Sequence, residues 1–171
     1  RRRPAGDGAR GAVDRLGDEP PGRGRGRDRF PDLSEAPLSE ISEHMRSYTD
    51  EQIPGVINVI KGKMFEHVEM IHENTDGDEW IAYLHDDESF PGSDMVITNV
   101  ETGVAVELSL KATENSRYVE EALLKYPDIP IKVTSEVGEE MDHSDWVEAS
   151  HFSHAELQRV TQENFETLVE E

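Results

Sequence analysis

Residues 94–111 read DMVITNVETGVAVELSLK, and the fold turns on them. Val104, Val106, Leu108 and Leu110 fall on one side of an extended chain. Ala105, Glu107, Ser109 and Lys111 fall on the other, because strand side chains alternate. A strand over 104–111 follows, preceded by the tight turn Thr102-Gly103 and a partner strand over 94–100. One face of this hairpin is apolar. The other lines up a carboxylate, a hydroxyl and an ammonium.

Upstream, Trp80, Ala82 and Leu84 alternate with Ile81 and Tyr83, a strand over 80–84. The loop HDDESFPGS joins it to the hairpin. Before it, Ile53, Ile57, Ile60, Met64, Val68 and Ile71 recur at spacings of 4, 3, 4, 4 and 3, which predicts an amphipathic helix from about 50 to 73. Pro54 suits its first turn, and Asn74-Thr75-Asp76-Gly77 ends it. A short helix is expected over 39–46. Downstream, Ser116 is expected to cap a helix carrying Val119, Leu123 and Tyr126, which Pro127 stops. A strand over 129–133 then makes a strand–helix–strand crossover with parallel strands. The polar stretch 136–145 reads as a loop. Ser153 and Glu156 form a capping box for a last helix with Leu157, Val160, Phe165 and Leu168 on its apolar side. The fold class is α/β: a small mixed sheet with an αβββαβ core and a C-terminal helix.

The charge is uneven. The chain has 171 residues, 17 Lys+Arg and 38 Asp+Glu, for a formal charge of −21. Residues 1–30 hold nine Arg against five acids; the remainder holds eight basic residues against 33 acids. The stretch 1–30, rich in Arg, Gly and Pro, has no apolar periodicity and reads as a disordered linker. Residues 31–171 read as a single domain. The start at Arg1 is expected of a fragment or the C-terminal end of a longer polypeptide. No cysteine is present, which excludes disulfides, thiol nucleophiles and Cys-ligated metals. No apolar run reaches the roughly 20 residues of a membrane span, and no signal-peptide h-region is found. The acidic body argues against non-specific DNA binding through phosphate neutralisation. It leaves a metal-assisted nuclease open, since a cation can screen the phosphate.

Four residues carry the candidate chemistry. Glu66 sits on the long helix in KGKMFEHVEM, Asp94 follows Phe90-Pro-Gly-Ser93, and Glu107 and Lys111 share one strand face. Carboxylates near a hairpin supply the hard oxygen ligands of a Mg²⁺ site. A nearby lysine can orient a water or balance charge on a phosphoryl group. The glycine before Asp94 allows backbone to approach a ligand. The histidines are less organised: His67 and His72 do not share a helix face, and His143, His151 and His154 cluster only in sequence. His85-Asp86-Asp87-Glu88 is a polar cluster beside the candidate metal.

Over about residues 50–135 the element order, the Glu of KGKMFE, the PGSD and the acid-plus-Lys strand resemble the PD-(D/E)xK restriction-endonuclease-like superfamily. That resemblance implies a Mg²⁺ (or Mn²⁺) dependent endonuclease: Glu66, Asp94 and Glu107 would hold metal, and Asp94, Glu107 and Lys111 would be catalytic. It also suggests the small nuclease domains of bacterial polymorphic toxins and phage proteins. In that setting nucleic acid is the substrate, an immunity protein a partner, and the location the cytoplasm or a cell into which the domain is delivered. The chain departs from the family at one place. The acid usually stands two residues before the lysine, where this chain has Ser109. Glu107 stands four before, about 13 Å from Lys111 by strand rise rather than about 7 Å. Either Glu107 has taken over the ligand role, or the site is degraded. The alternative is a catalytically inert nuclease-fold domain, an acidic structural or interaction module for a basic protein partner.

Overall fold

The computed structural model describes residues 35–85 and 91–170. The stretch 1–30 lies outside them, as do Asp86, Asp87 and Glu88. The elements run α1 (Leu38–Arg46), α2 (Ile53–Thr75), β1 (Trp80–Leu84), β2 (Met95–Asn99), β3 (Ala105–Lys111), α3 (Ser116–Lys125), β4 (Ile131–Val133), α4 (Ser135–Glu140), β5 (Val147–Ala149) and α5 (His154–Glu170). The expected αβββαβ order is present as α2 to β4, followed by the C-terminal helix. Five strands form one mixed sheet in the order β1-β2-β3-β4-β5. β1, β2 and β3 pair antiparallel, whereas β4 and β5 run parallel to β3.

Local chemistry sets these elements. Gly103 adopts φ +71, a conformation that favours glycine, and its N–H bonds the Asn99 carbonyl at 2.8 Å. Asn99 Oδ1 accepts from the Glu101 and Thr102 N–H groups, which closes the β2–β3 turn. The register follows: Met95 opposes Leu108, Val96 opposes Glu107, and Ile97 opposes Val106. At the end of α2, the Asn74 side chain bonds both the N–H and the carbonyl of Ala82 and so ties the helix to β1.

The two faces of the sheet are built differently. Met95, Ile97, Leu108 and Leu110 are buried with Ala82, Phe65 of α2 and Leu157 of α5. On the reverse face, Ile131 and Val133 pack with Val119 of α3 and with Val137 and Met141. Toward β1 this reverse face stays open, and Ile81 and Tyr83 are exposed. Glu107, Ser109 and Lys111 therefore lie on the half-open side.

Several expectations need correction. The buried stripe of α2 is Ile57, Lys61, Phe65, Glu69 and Glu73, with Val56 beside it; Ile71 is exposed and Ile60 and Met64 only half-buried. Charged residues occupy that stripe because partners on β4 and α5 reach them. The stretch read as a loop over 136–145 contains α4, and β5 was not foreseen. Gly138 of α4 lies so close to β5 that a Cβ there would collide with the Ala149 side chain. The cap of α3 is Asn115, whose side chain accepts from the Tyr118 N–H, rather than Ser116. Ser153 does accept from the Glu156 N–H at 3.3 Å. The carboxylate at the head of α5, however, is Glu136, which accepts from the His154 and Ala155 N–H groups.

Candidate functional site

Asp94 enters the sheet just ahead of β2. Its N–H bonds the Leu108 carbonyl at 3.0 Å, and its carbonyl takes the His85 N–H at 3.1 Å. This pins its side chain over β3. The carboxylate's Oδ2 accepts from the Leu110 N–H at 2.7 Å and from Ser109 Oγ at 3.2 Å, and Lys111 Nζ stands 3.5 Å away. Ser109 thus acts as a donor to Asp94. Among the described residues Oδ1 of Asp94 accepts nothing.

Glu107 shows the same division. Its Oε2 accepts from Ser93 Oγ in a short hydrogen bond and lies 2.8 Å from His85 Nε2. A carboxylate can only accept, so Nε2 of His85 carries the proton. Among the described residues Oε1 of Glu107 has no partner. Asp94 and Glu107 are diagonal neighbours on adjacent strands, about 7 Å apart by sheet geometry. Each has one oxygen fixed by donors and one oxygen open.

The third expected carboxylate is Glu66. It stays on α2 beside Lys63 at 3.1 Å, and none of the described contacts joins it to Asp94 or Glu107. Of the three expected carboxylates, Asp94 and Glu107 are the two whose hydrogen bonds place them on one side of the sheet. Among the described residues only Glu73, Asp76 and Asp78 bring three such groups within 4.8 Å. They sit at the turn ending α2, where Asp76 accepts from the Asp78 N–H and Asp78 from the Trp80 N–H. That is turn chemistry, and Glu73 within it reaches Lys132 on the side of the sheet opposite Lys111.

Asp94, Ser109 and Lys111 line a cleft of about 590 Å³ with Gly92, Lys125 and Tyr126. Gly92 adopts φ +78, and a Cβ there would meet the Tyr126 ring at 2.5 Å. The close approach that this glycine permits is to Tyr126, which walls the cleft, rather than to a ligand. Lys125 lies 5.2 Å from the centre of the same ring. The cleft holds two ammonium groups in a chain with only five lysines.

Sequence reasoning missed Ser93 and underrated His85, the two groups that orient Glu107. The signal was present in the loop HDDESFPGS, since residues flanking a strand start are brought to its neighbour by pairing. Of the other histidines, His72 packs edge-on against His151 at 4.9 Å, and His154 joins α5 to α2.

Comparisons with protein-family models, with curated proteins and with solved structures return no match. Among the described residues no helix is long and apolar enough to cross a membrane.

Proposed function

We propose that this protein is a divalent-metal-dependent phosphodiesterase that cleaves nucleic acid at the Asp94–Glu107–Lys111 face. The observation that carries the reading is the pair of half-fixed carboxylates beside Lys111. Donors hold one oxygen of each, and the other oxygen has no partner among the described residues. Such a pair suits Mg²⁺, which takes one or two carboxylates and completes its shell with water and substrate phosphate. Asp94 and Glu107 would hold the ion, which when bound lowers the pKa of a ligated water and offsets phosphate charge.

The chain's own residues do the rest. His85 and Ser93 fix the carboxylate of Glu107, as outer partners orient metal ligands. The Leu110 N–H and Ser109 hydroxyl fix Asp94. Lys111, only 22 % exposed, presents an ammonium where negative charge grows on a phosphoryl oxygen, and Lys125 adds a second cation at the cleft wall. The acidic surface supplies no general attraction for a polyanion, so affinity rests on these groups and the cation.

One observation favours a second reading. Asp94 and Lys111 already neutralise each other, and Ser109 replaces an acid, as an inert interaction module would allow. A cleavage assay decides between them. Plasmid DNA and RNA are incubated with Mg²⁺ or Mn²⁺, with wild type set against Lys111→Ala. Wild type should cleave, and the variant should lose about 10²–10³ in kcat while staying folded. A wild type inactive on both substrates with both ions, yet bound to a basic protein, establishes the interaction module instead.

A further inference from the structure

Two lysines in this fold are equally buried and have opposite surroundings. Lys61 and Lys132 are each 5 % or less exposed. Lys132 faces three carboxylates: Glu69 at 2.9 Å, Glu73 at 3.8 Å and Glu148 at 3.8 Å. Lys61 reaches from α2 to α5 and donates to Asn58 Oδ1 at 3.1 Å, Gln158 Oε1 at 2.9 Å and His154 Nε2 at 2.9 Å. All three acceptors are neutral. Because His154 Nε2 accepts, its proton sits on Nδ1, which points toward exposed Glu114 at 3.7 Å. Among the described residues no carboxylate lies within ion-pair distance of Lys61.

An ammonium withdrawn from water is ordinarily matched by an anion. Burial does push the Lys61 pKa down, with Glu114 drawing it partly back. Lys61 also lines an open groove of about 1110 Å³ together with Thr113, Tyr118, His154 and Arg159. This groove adjoins the cleft described above. Tyr118 lines both, and Ala112 and Thr113 of the groove directly follow Lys111 in the chain.

We propose that the Lys61 groove is a phosphate subsite, taking a backbone phosphate of the same nucleic-acid strand whose scissile phosphate lies at Lys111. The proposal rests on the nuclease reading. One phosphate oxygen replaces a neutral acceptor at Lys61 Nζ. Tyr118, half-exposed between the two sites, offers its ring for a base to stack on. Glu114, Glu163 and Glu166 line the groove as well. Their charge disfavours a free anion, whereas a strand anchored at the cleft carries its phosphate in at high effective concentration.

Fluorescence anisotropy of a labelled single-stranded oligonucleotide in Ca²⁺, a hard cation that carboxylates can hold, with the oligonucleotide confirmed intact afterwards, tests the subsite. Lys61→Met and Lys61→Gln should each weaken binding at least tenfold and lower the salt slope by about 0.7, one phosphate contact on a single strand. Both variants remove a buried charge, so the fold should persist, which circular dichroism checks. Unchanged affinity in folded Lys61→Met and Lys61→Gln overturns the proposal, as does a wild type that binds no oligonucleotide. A parallel arm follows thermal stability in inorganic phosphate against chloride at equal ionic strength. If phosphate alone protects wild type but not Lys61→Met, while oligonucleotide affinity is the same for both, the site takes free phosphate and the strand assignment falls. A wild type that binds through Lys61 but cleaves nothing retains the subsite and removes the nuclease reading.

Discussion

The same sheet carries two lysine–carboxylate pairs, one on each face, and they are not equivalent. Lys132 and Glu69 meet at 2.9 Å under α2, with side chains 5 % and 0 % exposed. Lys111 and Asp94 stand 3.5 Å apart on the reverse face, 22 % and 27 % exposed. The first pair is closed: Ser150 Oγ donates to the remaining oxygen of Glu69 in a short hydrogen bond, and Glu73 and Glu148 crowd the lysine. It joins α2, β4 and the end of β5 through charge rather than apolar packing. The second pair is loose and opens on a cleft. Burial and crowding by charge mark a pair that holds the fold together; a longer contact at a cleft wall marks one left accessible.

Removing the lysine from each pair should separate the two roles. Lys132→Met leaves Glu69 and Glu73 buried without their cation, and breaking such a pair costs about 3–5 kcal/mol. Denaturant unfolding should show that loss directly. Lys111→Met should cost under about 1 kcal/mol by the same measurement, because partly exposed pairs contribute little. Equal losses for the two variants would erase the distinction.

The apolar half of the closed face gives the next largest effect. Leu108 is 6 % exposed and packs with Phe65, Met95 and Leu157. Leu108→Ala should destabilise by about 2–5 kcal/mol, the transfer loss plus a residual cavity. Val104, on the same side of the strand but 41 % exposed, should tolerate the same change at under about 1 kcal/mol. A small effect at Leu108 would mean that the strand faces are reversed.

The open face is sharpened by metal. An ion bound only to the folded state stabilises it by mass action, about 2.7 kcal/mol at a hundredfold excess over Kd. Mg²⁺ or Mn²⁺ should therefore raise the Tm of wild type, and Asp94→Asn should abolish most of the rise. Glu73→Gln, in the acidic turn that ends α2, should leave the rise intact. A metal response lost in Glu73→Gln and kept in Asp94→Asn would move the ion to the other face.

How far the sequence discloses all this depends on the kind of interaction. The hairpin over 94–111 was legible because alternation, Gly103 and the turn agree over many residues. The existence of α2 was legible as well, but its buried face was not. Apolar spacing pointed to Ile71, which is 57 % exposed, while Glu69 is fully buried. A buried charge is specified by a partner 63 residues away on β4, and no local pattern announces Lys132. α4 and β5, at six and three residues, are too short for either period to register. Within the site, face alternation placed Glu107, Ser109 and Lys111 together, and pairing brought Asp94 to them. Glu66 was drawn in by motif alone. Yet Lys63 and Glu66 stand three residues apart on one helix, the spacing at which opposite charges meet.

The smallest effect tests a carboxylate that belongs to neither pair. Glu136, in the first turn of α4, accepts from Ser153 Oγ and from the His154 and Ala155 N–H groups. It thereby satisfies the exposed donors at the head of α5, where the helix dipole favours negative charge. Partial burial alone would raise its pKa, but these hydrogen bonds outweigh it and hold the group at about 2. A carboxylate depressed in the folded state contributes stability that is complete above its unfolded pKa and is lost as pH falls through the folded value. The affected window thus runs from about 4.5 down to about 2. Glu136→Gln keeps a side-chain carbonyl but removes the charge. At pH 7 it should lower stability by about 0.5 kcal/mol, modest because solvent screens an exposed group. The difference from wild type should shrink progressively through that acid window and vanish near its lower end, followed by urea unfolding at each pH. A wild-type advantage that instead stays constant from pH 7 to pH 2 would show that shape, and not charge, caps the helix.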